Sequence, residues 1–336
     1  MNFFDLDKIL SGQAKYRRGQ VWRWIFVGLI DDWDLASDLS KELKEFLNEK
    51  LPLKIDYQLV TDRRSSKAVI RLFDGEVIES VLIENKDGRH TVCVSSQVGC
   101  PLGCAFCATG KGGFKRNLSA EEIIIQVLIF ARLLKSDGGR VDNIVFMGMG
   151  EPFLNWDNVK KAIEVFNDPQ GLNIGARSIS ISTCGLLEGI EALIKFPLQV
   201  NLAISLHSAS DDLRSRLMPI ANAVSLRELM KAVKKYLLVK KRKVMFEYVM
   251  MEGINDDPAQ AVELIELIKN LGAGPVMVNL LTYNPTGKFK PSTPESIKRF
   301  KKILIEGGIE AIIRESVGGK ILGACGQLAG KKGSSS

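Results

Sequence analysis

Cysteine and histidine are scarce in this chain of 336 residues, which contains six cysteines and two histidines. Cysteines this sparse exclude a secreted disulfide scaffold, and in a reducing compartment a tight cysteine cluster favours metal binding or catalysis. The apolar run from Ile123 to Phe130 is interrupted by Gln126 and is too short to span a bilayer. The N-terminal MNFFDLDKILSG has acidic residues where a signal peptide would carry positive charge. We therefore expect a cytoplasmic protein without a membrane segment.

The composition is that of a folded chain with an excess of positive charge. Hydrophobic residues make up 46% of it, enough for a sizeable core in one large domain, alone or with a small one. The net charge of +7 is compatible with a polyanionic partner but does not by itself identify one. Basic clusters that are candidate phosphate contacts, and equally typical of solvated faces, are Arg17-Arg18, Arg63-Arg64, residues 240–243 and Lys298-Arg299 with Lys301-Lys302.

Hydrophobic periodicity divides the chain into four predicted regions. Residues 1–52 have the apolar spacing of short helices and predict a helical accessory domain. Residues 53–89 hold three segments rich in β-formers, with Asp74-Gly75 predicting a two-residue hairpin turn. Strands and helices alternate over residues 90–317, which favours a parallel sheet of βα units. The glycine-rich region 318–336 ends in KKGSSS, which we expect to be disordered.

The alternating region predicts a partial barrel. Its six candidate strands are residues 91–95, 143–147, 178–182, 199–205, 244–250 and 276–281, and a last strand covers residues 309–314. Six βα units indicate an α/β fold, a partial (β/α)6 barrel with a small N-terminal helical domain and a short β extension. Glu151, Ser182, His207 and Asn284 end or follow these strands. Because ligands of such barrels gather at the carboxyl ends of the strands, these residues predict a binding site there.

Three of the cysteines, Cys100, Cys104 and Cys107, follow the first of these strands with C-x3-C-x2-C spacing. Neighbouring glycines suit a backbone wrapped closely around a metal. Three thiolates leave one iron of a [4Fe-4S] cluster without a protein ligand, so the pattern predicts a catalytic cluster with an open iron. A structural zinc site with Cys93 as the fourth ligand is the alternative, although zinc usually takes ligands from paired short loops.

The segment CVSSQVGCPLGCAFCATG resembles radical S-adenosylmethionine (SAM) enzymes, in which the open iron binds SAM. The motifs FMGMGEPFLN, SISTCG, AISLH, RLMPI, YNPTGK and GACGQL follow in the order found in the RlmN/Cfr family of radical SAM RNA methyltransferases. The N-terminal YRRGQVWRWIF also fits, so the resemblance covers nearly the whole chain. It implies a radical SAM barrel whose [4Fe-4S] cluster is held by Cys100, Cys104 and Cys107.

The resemblance also implies which residues bind SAM. They are Gly150, Glu151, Ser182, Ser205, Leu206, His207 and Asn284. Taken singly, the polar members of this set are as typical of loop caps and strand-end hydrogen bonds. Outside the set, His90 and Cys184 match no functional role, and we expect both to be structural.

Cys325, Cys93 and Glu79 are implied to be catalytic. One SAM would methylate Cys325, and a second would yield the radical that removes hydrogen from this methyl group. The methylene carbon would then add to an adenine carbon that is too electron-poor to attack SAM directly. Cys93 would attack the sulfur of Cys325, release the product and leave a disulfide. Glu79 would accept the ring proton, with Glu84 as the competing candidate. Without the resemblance, the two cysteines would be predicted to be inert and Glu79 to face outward.

The substrate implied by the resemblance is RNA, which the helical domain of residues 1–52 would help to bind. The methylated atom would be C2 of an adenine in the peptidyl-transferase region of 23S rRNA, and also of an adenine beside the tRNA anticodon. Cfr-type methylation at C8 is the close alternative, although Glu151-Pro152 is more like the C2 branch, because Cfr-like sequences tend to carry alanine after the glutamate. A non-catalytic, zinc-dependent RNA-binding protein is the alternative from another class. We further expect a monomer that takes electrons from a flavodoxin or ferredoxin.

Overall fold

The computed structural model describes residues 3–272 and 274–330, so the predicted disordered tail at 331–336 lies outside the described residues. The strands are β1 (Tyr57–Asp62), β2 (Ser65–Arg71), β3 (Val77–Glu84), β4 (His90–Cys93), β5 (Gln97–Gly99), β6 (Phe114–Asn117), β7 (Asn143–Phe146), β8 (Ile179–Thr183), β9 (Asn201–Ser205), β10 (Val244–Met250), β11 (Val276–Thr282) and β12 (Ala311–Arg314). The α-helices are α1 (Leu6–Ile9), α2 (Tyr16–Phe26), α3 (Lys41–Lys50), α4 (Ala108–Lys111), α5 (Ala120–Lys135), α6 (Trp156–Asn167), α7 (Leu187–Lys195), α8 (Asp211–Leu217), α9 (Leu226–Lys240), α10 (Pro258–Lys269) and α11 (Pro294–Glu306).

Ten strands of the described chain form one sheet in the order β1-β2-β3-β4-β7-β8-β9-β10-β11-β12. The strands from β1 to β4 pair antiparallel. From β4 onward each neighbour pairs parallel, and helices fill the crossovers, as parallel connections require. The predicted partial β/α barrel is confirmed. The predicted β extension continues the same sheet. Among the described residues, β12 adds a seventh parallel strand to the six predicted barrel strands.

The turn between β2 and β3 differs from the two-residue hairpin predicted from Asp74-Gly75. The backbone N–H of Leu72 donates to the carbonyl of Glu76 at 2.8 Å, and that of Gly75 donates back to Leu72 at 3.0 Å. The loop therefore has three residues, the last of which is Gly75 with a φ of 80°. A type I turn closed by a left-handed glycine is the usual geometry of such a loop.

The starts of several helices carry capping residues. At α5 the hydroxyl of Ser119 accepts from the backbone of Glu122 at 3.2 Å, and the Glu122 carboxylate accepts from the backbone of Ser119 at 2.9 Å. Proline occupies the first turn of both α10 and α11, where its missing N–H costs nothing. These caps fix where the helices leave the carboxyl ends of the strands.

The N-terminal helices pack against the barrel and share its hydrophobic core. Arg132 of α5 donates to the carbonyl of Ile30 at 2.7 Å and to that of Leu53 at 3.2 Å, which ties the two parts together. Trp22 packs on Phe26 with ring centroids 4.4 Å apart. In residues 3–272 and 274–330, no helix combines the length and apolarity needed to cross a membrane. The predicted domain boundaries at 52, 89 and 317 stay predictions.

Candidate active site

The loop between β5 and α4 carries Cys100, Cys104 and Cys107. Its path is fixed by backbone hydrogen bonds, from Cys100 to the carbonyl of Gly113 at 2.8 Å and from Ala105 to that of Leu217 at 2.9 Å. Gly99 has a φ of 78°, and a Cβ there would lie 1.9 Å from the Gly113 oxygen. Only glycine fits where two backbones approach this closely. The sequence thus folds this loop tightly around the space that its thiols face.

The three thiols line one cavity, which we call the cluster cavity. Gly150, Glu151, Ser182, Ser205 and His207 line it too. The structure thus brings the predicted cluster ligands and most of the predicted SAM-binding residues together at the carboxyl ends of the parallel strands. This is the edge at which β/α barrels bind their ligands.

The thiols of the cluster cavity require a cation to ionise together. Burial raises the pKa of Cys100 to about 12, and negative charge on Cys104 and Cys107 adds to the rise. Burial also raises the pKa of Cys107. A hydrogen bond from Cys184 lowers the pKa of Cys104, so Cys184 contacts the site although we predicted it to be structural. A metal centre supplies the positive charge that such thiolates need.

The donor set fits a cluster better than a single ion. In the described parts, 3–272 and 274–330, no three Cys, His, Asp or Glu side chains are arranged to hold one metal ion. A cubane cluster has a separate iron for each thiolate, so its ligands need not converge on one point. Three thiols spread around one cavity, with a carboxylate and two hydroxyls beside them, are compatible with a [4Fe-4S] cluster and SAM.

Glu151 follows β7 after the four residues 147–150 and is buried in the cavity wall. Its carboxylate accepts from the backbone of Phe153 at 3.2 Å and of Cys184 at 2.9 Å. Burial raises its pKa to about 7 against the effect of these hydrogen bonds. Gly150 has a φ of 98°, and a Cβ there would lie 2.5 Å from the Cβ of Gln97. A cationic group in the cavity, such as the sulfonium of SAM, would stabilise the Glu151 carboxylate.

The strand ends of β8 and β9 supply neutral polar groups. The hydroxyls of Ser182 and Ser205 lie 3.2 Å apart. His207 follows with a φ of 58°, and its Nδ1 accepts from the backbone of Val249 at 3.1 Å. Burial and the charge of Arg214 lower the pKa of His207 to about 3, so the ring is neutral. The side chain of Leu206 is fully buried in the hydrophobic core. Leu206 could therefore approach a cofactor only through its backbone.

A second cavity of about 320 Å³, which we call the entrance cavity, adjoins the first. Cys93, at the end of β4, lines it, and Cys325 lines both cavities. Met147, Leu281 and Leu328 are likewise shared. The structure therefore places Cys325 on the wall between the predicted cluster ligands on one side and Cys93 on the other.

Both thiols of the entrance cavity are protonated at neutral pH. Burial raises the pKa of Cys93 to about 12, and negative charge on Cys325 adds to this effect. The surface of Cys325 is accessible through the cavities, yet the surrounding protein displaces enough water to raise its pKa to about 12 as well. Negative charge on Cys107 and Glu247 adds to the rise at Cys325, whereas the positive charge of Arg314 opposes it.

Asn284 lies on the entrance cavity rather than among the other predicted SAM-binding residues. Its Nδ2 donates to the carbonyl of Cys325 at 3.1 Å, and its Oδ1 accepts from the hydroxyl of Ser316 at 2.6 Å. Both ends of the amide are occupied by the C-terminal segment. In this arrangement Asn284 holds Cys325, and its predicted contact with SAM stays a prediction.

Glu79 is buried beneath the C-terminal segment, outside the walls of both cavities. It pairs with Lys67 at 2.8 Å, and its Oε2 accepts from the backbones of Ala329 at 2.7 Å and Gly330 at 3.1 Å. Lys67 also donates to the carbonyl of Leu322 at 3.5 Å. The ion pair thus ties the chain down on both sides of Cys325. The competing candidate Glu84 is exposed at the end of β3.

Glu247 is a residue of the cluster cavity that sequence reasoning missed. Its Oε1 accepts from Asn279 at 2.7 Å, whereas Oε2 is buried without a hydrogen-bond partner in the described structure. Burial raises the pKa of this carboxyl. A glutamate inside the otherwise apolar strand VMFEYVM is a detectable signal, because charged residues are rarely buried without a functional or paired partner.

Comparison with known proteins gives the class first. A family profile described as the radical SAM superfamily matches residues 94–265, and one described as the ribosomal RNA large subunit methyltransferase N-terminal domain matches residues 3–53. The crystal structure of a radical SAM methyltransferase from Sphaerobacter thermophilus superimposes with a TM-score of 0.93 at 40% identity, over 98% of both chains. The fold is thus that of a radical SAM enzyme.

Similar sequences narrow the class to a family. A probable dual-specificity RNA methyltransferase RlmN from Chloroflexus aurantiacus is 42% identical over 98% of this chain and 92% of its own length. The dual-specificity RNA methyltransferase RlmN of Syntrophotalea carbinolica is 42% identical over 97% and 88%. The chain belongs to the RlmN family of radical SAM RNA methyltransferases, as its motifs predicted.

Proposed function

We propose that the chain methylates C2 of an adenine in the peptidyl-transferase region of 23S rRNA, and of an adenine beside the anticodon of tRNA. The position of Cys325 supports this proposal. It is accessible from both the cluster cavity and the entrance cavity, which it shares with Cys93. A residue so placed can take a methyl group on one side and present it to RNA on the other.

The two cysteines divide the work of group transfer. An aromatic carbon such as C2 does not attack SAM directly, so the methyl group is first bonded to the sulfur of Cys325. When bound, the cluster and two SAM molecules per turnover supply this methyl group and the one-electron chemistry that makes its carbon reactive. After the carbon has bonded to adenine, the Cys93 thiolate attacks the Cys325 sulfur. An S–S bond forms, the electron pair of the broken C–S bond passes to the product carbon, and that carbon takes up a proton to complete the methyl group. The electron donor must then reduce the disulfide before the next turnover.

Cys100, Cys104 and Cys107 would hold the cluster, and Glu151 with the Ser182 and Ser205 hydroxyls would orient the polar groups of SAM. The apolar wall residues Met147, Leu281 and Leu328 separate the two cavities and limit access of water to the reacting carbon. The electron donor would be a small protein such as flavodoxin or ferredoxin. The monomeric state and the cytoplasmic location belong to the same proposal.

Glu79 is proposed as the acceptor of the ring proton. In the described conformation its carboxylate is fully engaged by Lys67 and by the amides of Ala329 and Gly330. To act as a base it must exchange the two amides for the substrate. The role therefore requires that the segment after Cys325 move during turnover, and the left-handed glycines Gly326 and Gly330 give this segment the backbone freedom to do so.

The test is the modified nucleoside itself. RNA from cells lacking the gene, complemented by the wild type or by Cys325→Ser, is digested and analysed by mass spectrometry. We expect 2-methyladenosine in rRNA and tRNA with the wild type and none with the variant. Formation of 8-methyladenosine would favour the Cfr-type alternative. Unchanged 2-methyladenosine after deletion of the gene would refute the proposal. Modification confined to rRNA would remove only the tRNA part.

A further inference from the structure

Three charged residues from distant parts of the chain meet at the mouth of the entrance cavity. Arg64 precedes β2, Lys86 lies in the β3–β4 loop, and Glu315 directly follows β12. One carboxylate oxygen of Glu315 lies 2.9 Å from Nη2 of Arg64 and 3.2 Å from Nζ of Lys86. We call this group the mouth triad. Two cations thus converge on a single anionic oxygen at the opening that leads to Cys93 and Cys325.

The charge at this opening is unbalanced. Arg64 and Lys86 share one carboxylate, and Arg314 lines the same cavity. Exposed ion pairs contribute little to stability, on the order of 0–1 kcal/mol. Glu315 keeps 52% of its side chain exposed, and Lys86 keeps 76%. Breaking the ion pairs of the mouth triad therefore costs little free energy, and an anion from solvent can replace Glu315.

We propose that Arg64 and Lys86 bind the backbone phosphate next to the adenine that enters the cavity, and that Glu315 occupies this phosphate position when RNA is absent. The inference rests on the proposed function, because it takes RNA as the substrate. A base that leaves its stack carries its flanking phosphates only as far as the rim of the pocket. Guanidinium and ammonium groups held together at that rim are the usual ligands of a phosphodiester.

Replacement of Glu315 by a phosphate also affects the segment that holds Cys325. Glu315 is followed by Ser316, whose hydroxyl donates to Asn284, and Asn284 in turn donates to the carbonyl of Cys325. Displacement of Glu315 by phosphate frees the start of the segment that carries the methyl-accepting thiol. RNA binding and the movement that exposes Glu79 are in this way connected through one short stretch of chain.

The other basic clusters do not share this placement. Residues 240–243 precede β10 and so lie at the amino ends of the strands, where Lys243 pairs with Glu310. Lys298 and the basic residues after it lie on α11. Of the basic clusters predicted from sequence, Arg63-Arg64 is the one with a member that lines the entrance cavity in the described chain.

The experiment measures binding of a short RNA hairpin with an unpaired loop adenine to the full-length protein, by fluorescence anisotropy over a series of salt concentrations. Arg64→Ala and Lys86→Ala are each expected to weaken binding about fivefold, and to reduce the slope of log K against log salt by about one. Glu315→Gln is expected to tighten binding about threefold, because the competing carboxylate is gone. The matched controls are Lys235→Ala and Glu191→Gln, an exposed ion pair on α9 and α7.

A gain of affinity in Glu315→Gln cannot result from misfolding, so it tests the inference even if an arginine variant folds poorly. The inference is wrong if Glu315→Gln binds RNA no more tightly than the wild type, or if both cationic variants keep the wild-type salt slope. The methylated product distinguishes this failure from that of the proposed function. If the wild-type protein forms 2-methyladenosine and the variants have an unchanged KM for RNA, only the proposed phosphate site is wrong. If the wild-type protein forms no 2-methyladenosine, the proposed function itself is wrong.

Discussion

The two cavities that meet at Cys325 differ in the charge that they can accept. The cluster cavity is lined by five cysteines, three of them the predicted cluster ligands, and by the carboxyl groups of Glu151 and Glu247, whose pKa values burial raises. The entrance cavity has Arg64, Lys86 and Arg314 in its wall and only Glu315 to oppose them among the described residues. The cluster cavity therefore favours a cationic ligand, and the entrance cavity favours an anionic ligand.

The contrast in charge agrees with the proposed binding of SAM in the cluster cavity and of RNA at the entrance cavity. A sulfonium cofactor and an iron cluster are stabilised where thiolates and carboxylates are buried, whereas a phosphodiester is stabilised where cations remain in contact with water. The boundary between the two environments is the segment around Cys325. Variants that change one side, the boundary or one supporting residue should therefore have separable effects.

The largest effect is expected from Cys107→Ala, which should empty the cluster cavity without altering the entrance cavity. Iron in anaerobically purified protein should fall from about four per chain to less than one, and RNA methylation should cease. Affinity for the RNA hairpin should stay within about twofold of the wild type, because the proposed phosphate contacts lie in the entrance cavity. Elemental analysis and anisotropy measure the two properties.

The control for this variant is Cys184→Ala, since Cys184 is a cysteine of the same cavity outside the C-x3-C-x2-C pattern. It should retain the iron. A Cys107→Ala protein that keeps a full complement of iron and full methylation would remove the contrast between the cavities. A colourless wild-type protein with one zinc per chain would instead support the zinc alternative.

Sequence patterns predicted the cluster cavity better than the entrance cavity, for a physical reason. Glu151, Ser182, Ser205 and His207 converge because parallel strands present their carboxyl ends at one edge, so local period and strand order are enough to bring them together. The contacts of Glu79 with Ala329 and Gly330 join residues 250 and 251 positions apart. No local spacing encodes such a contact.

Residues of the mouth triad illustrate the same limit. Arg64 was visible only as one of several basic clusters, and Glu315 had no pattern around it. β12 and the β extension lie at opposite ends of the strand order in the sheet. The curvature of the barrel brings Arg64 and Glu315 together. Lys67 was likewise hidden, because a lysine in a strand next to polar residues is usually exposed.

The boundary between the cavities should loosen in Lys67→Met. The substitution leaves Glu79 buried without its cation, which costs about 3–5 kcal/mol and weakens the hold of Glu79 on Ala329 and Gly330. Cys325 should then react several-fold faster with a maleimide in the absence of RNA, as followed by mass spectrometry. Lys67→Arg should restore the slow rate because it keeps the charge.

The matched control is Lys115→Met, which removes an exposed ion pair with Glu76 at the β extension. An exposed pair contributes about 0–1 kcal/mol, so Cys325 should react at the wild-type rate. Equal maleimide rates in Lys67→Met and the wild type would show that the ion pair does not hold the segment around Cys325.

A smaller effect is expected from Gly150→Ala, which changes the cluster cavity and leaves the entrance cavity as it is. The added methyl group would lie 2.5 Å from the Gln97 Cβ at a φ of 98°, a conformation that costs about 1–3 kcal/mol for residues other than glycine. The shift of Glu151 that relieves this clash should raise the KM for SAM and leave RNA affinity unchanged. Gly175→Ala, which meets no atom within 4 Å, is the control. Unchanged SAM binding in Gly150→Ala would contradict the placement of Glu151.

The smallest effect concerns pH and the neutral ring of His207. The folded pKa is about 3 against an ordinary value of 6.5, so the unfolded chain takes up a proton below pH 6.5 that the folded chain refuses. Wild-type protein should therefore lose about 1.4 kcal/mol of unfolding free energy from this residue by about pH 5.5, and none at about pH 7.5. His207→Asn keeps a hydrogen-bond acceptor and tolerates the positive φ, but it does not titrate. Urea unfolding of both proteins at the two pH values should show their stability difference narrowing by this amount on acidification. A difference that stays constant would mean that the ring is protonated inside the fold, and the cluster cavity would then carry a cation of its own.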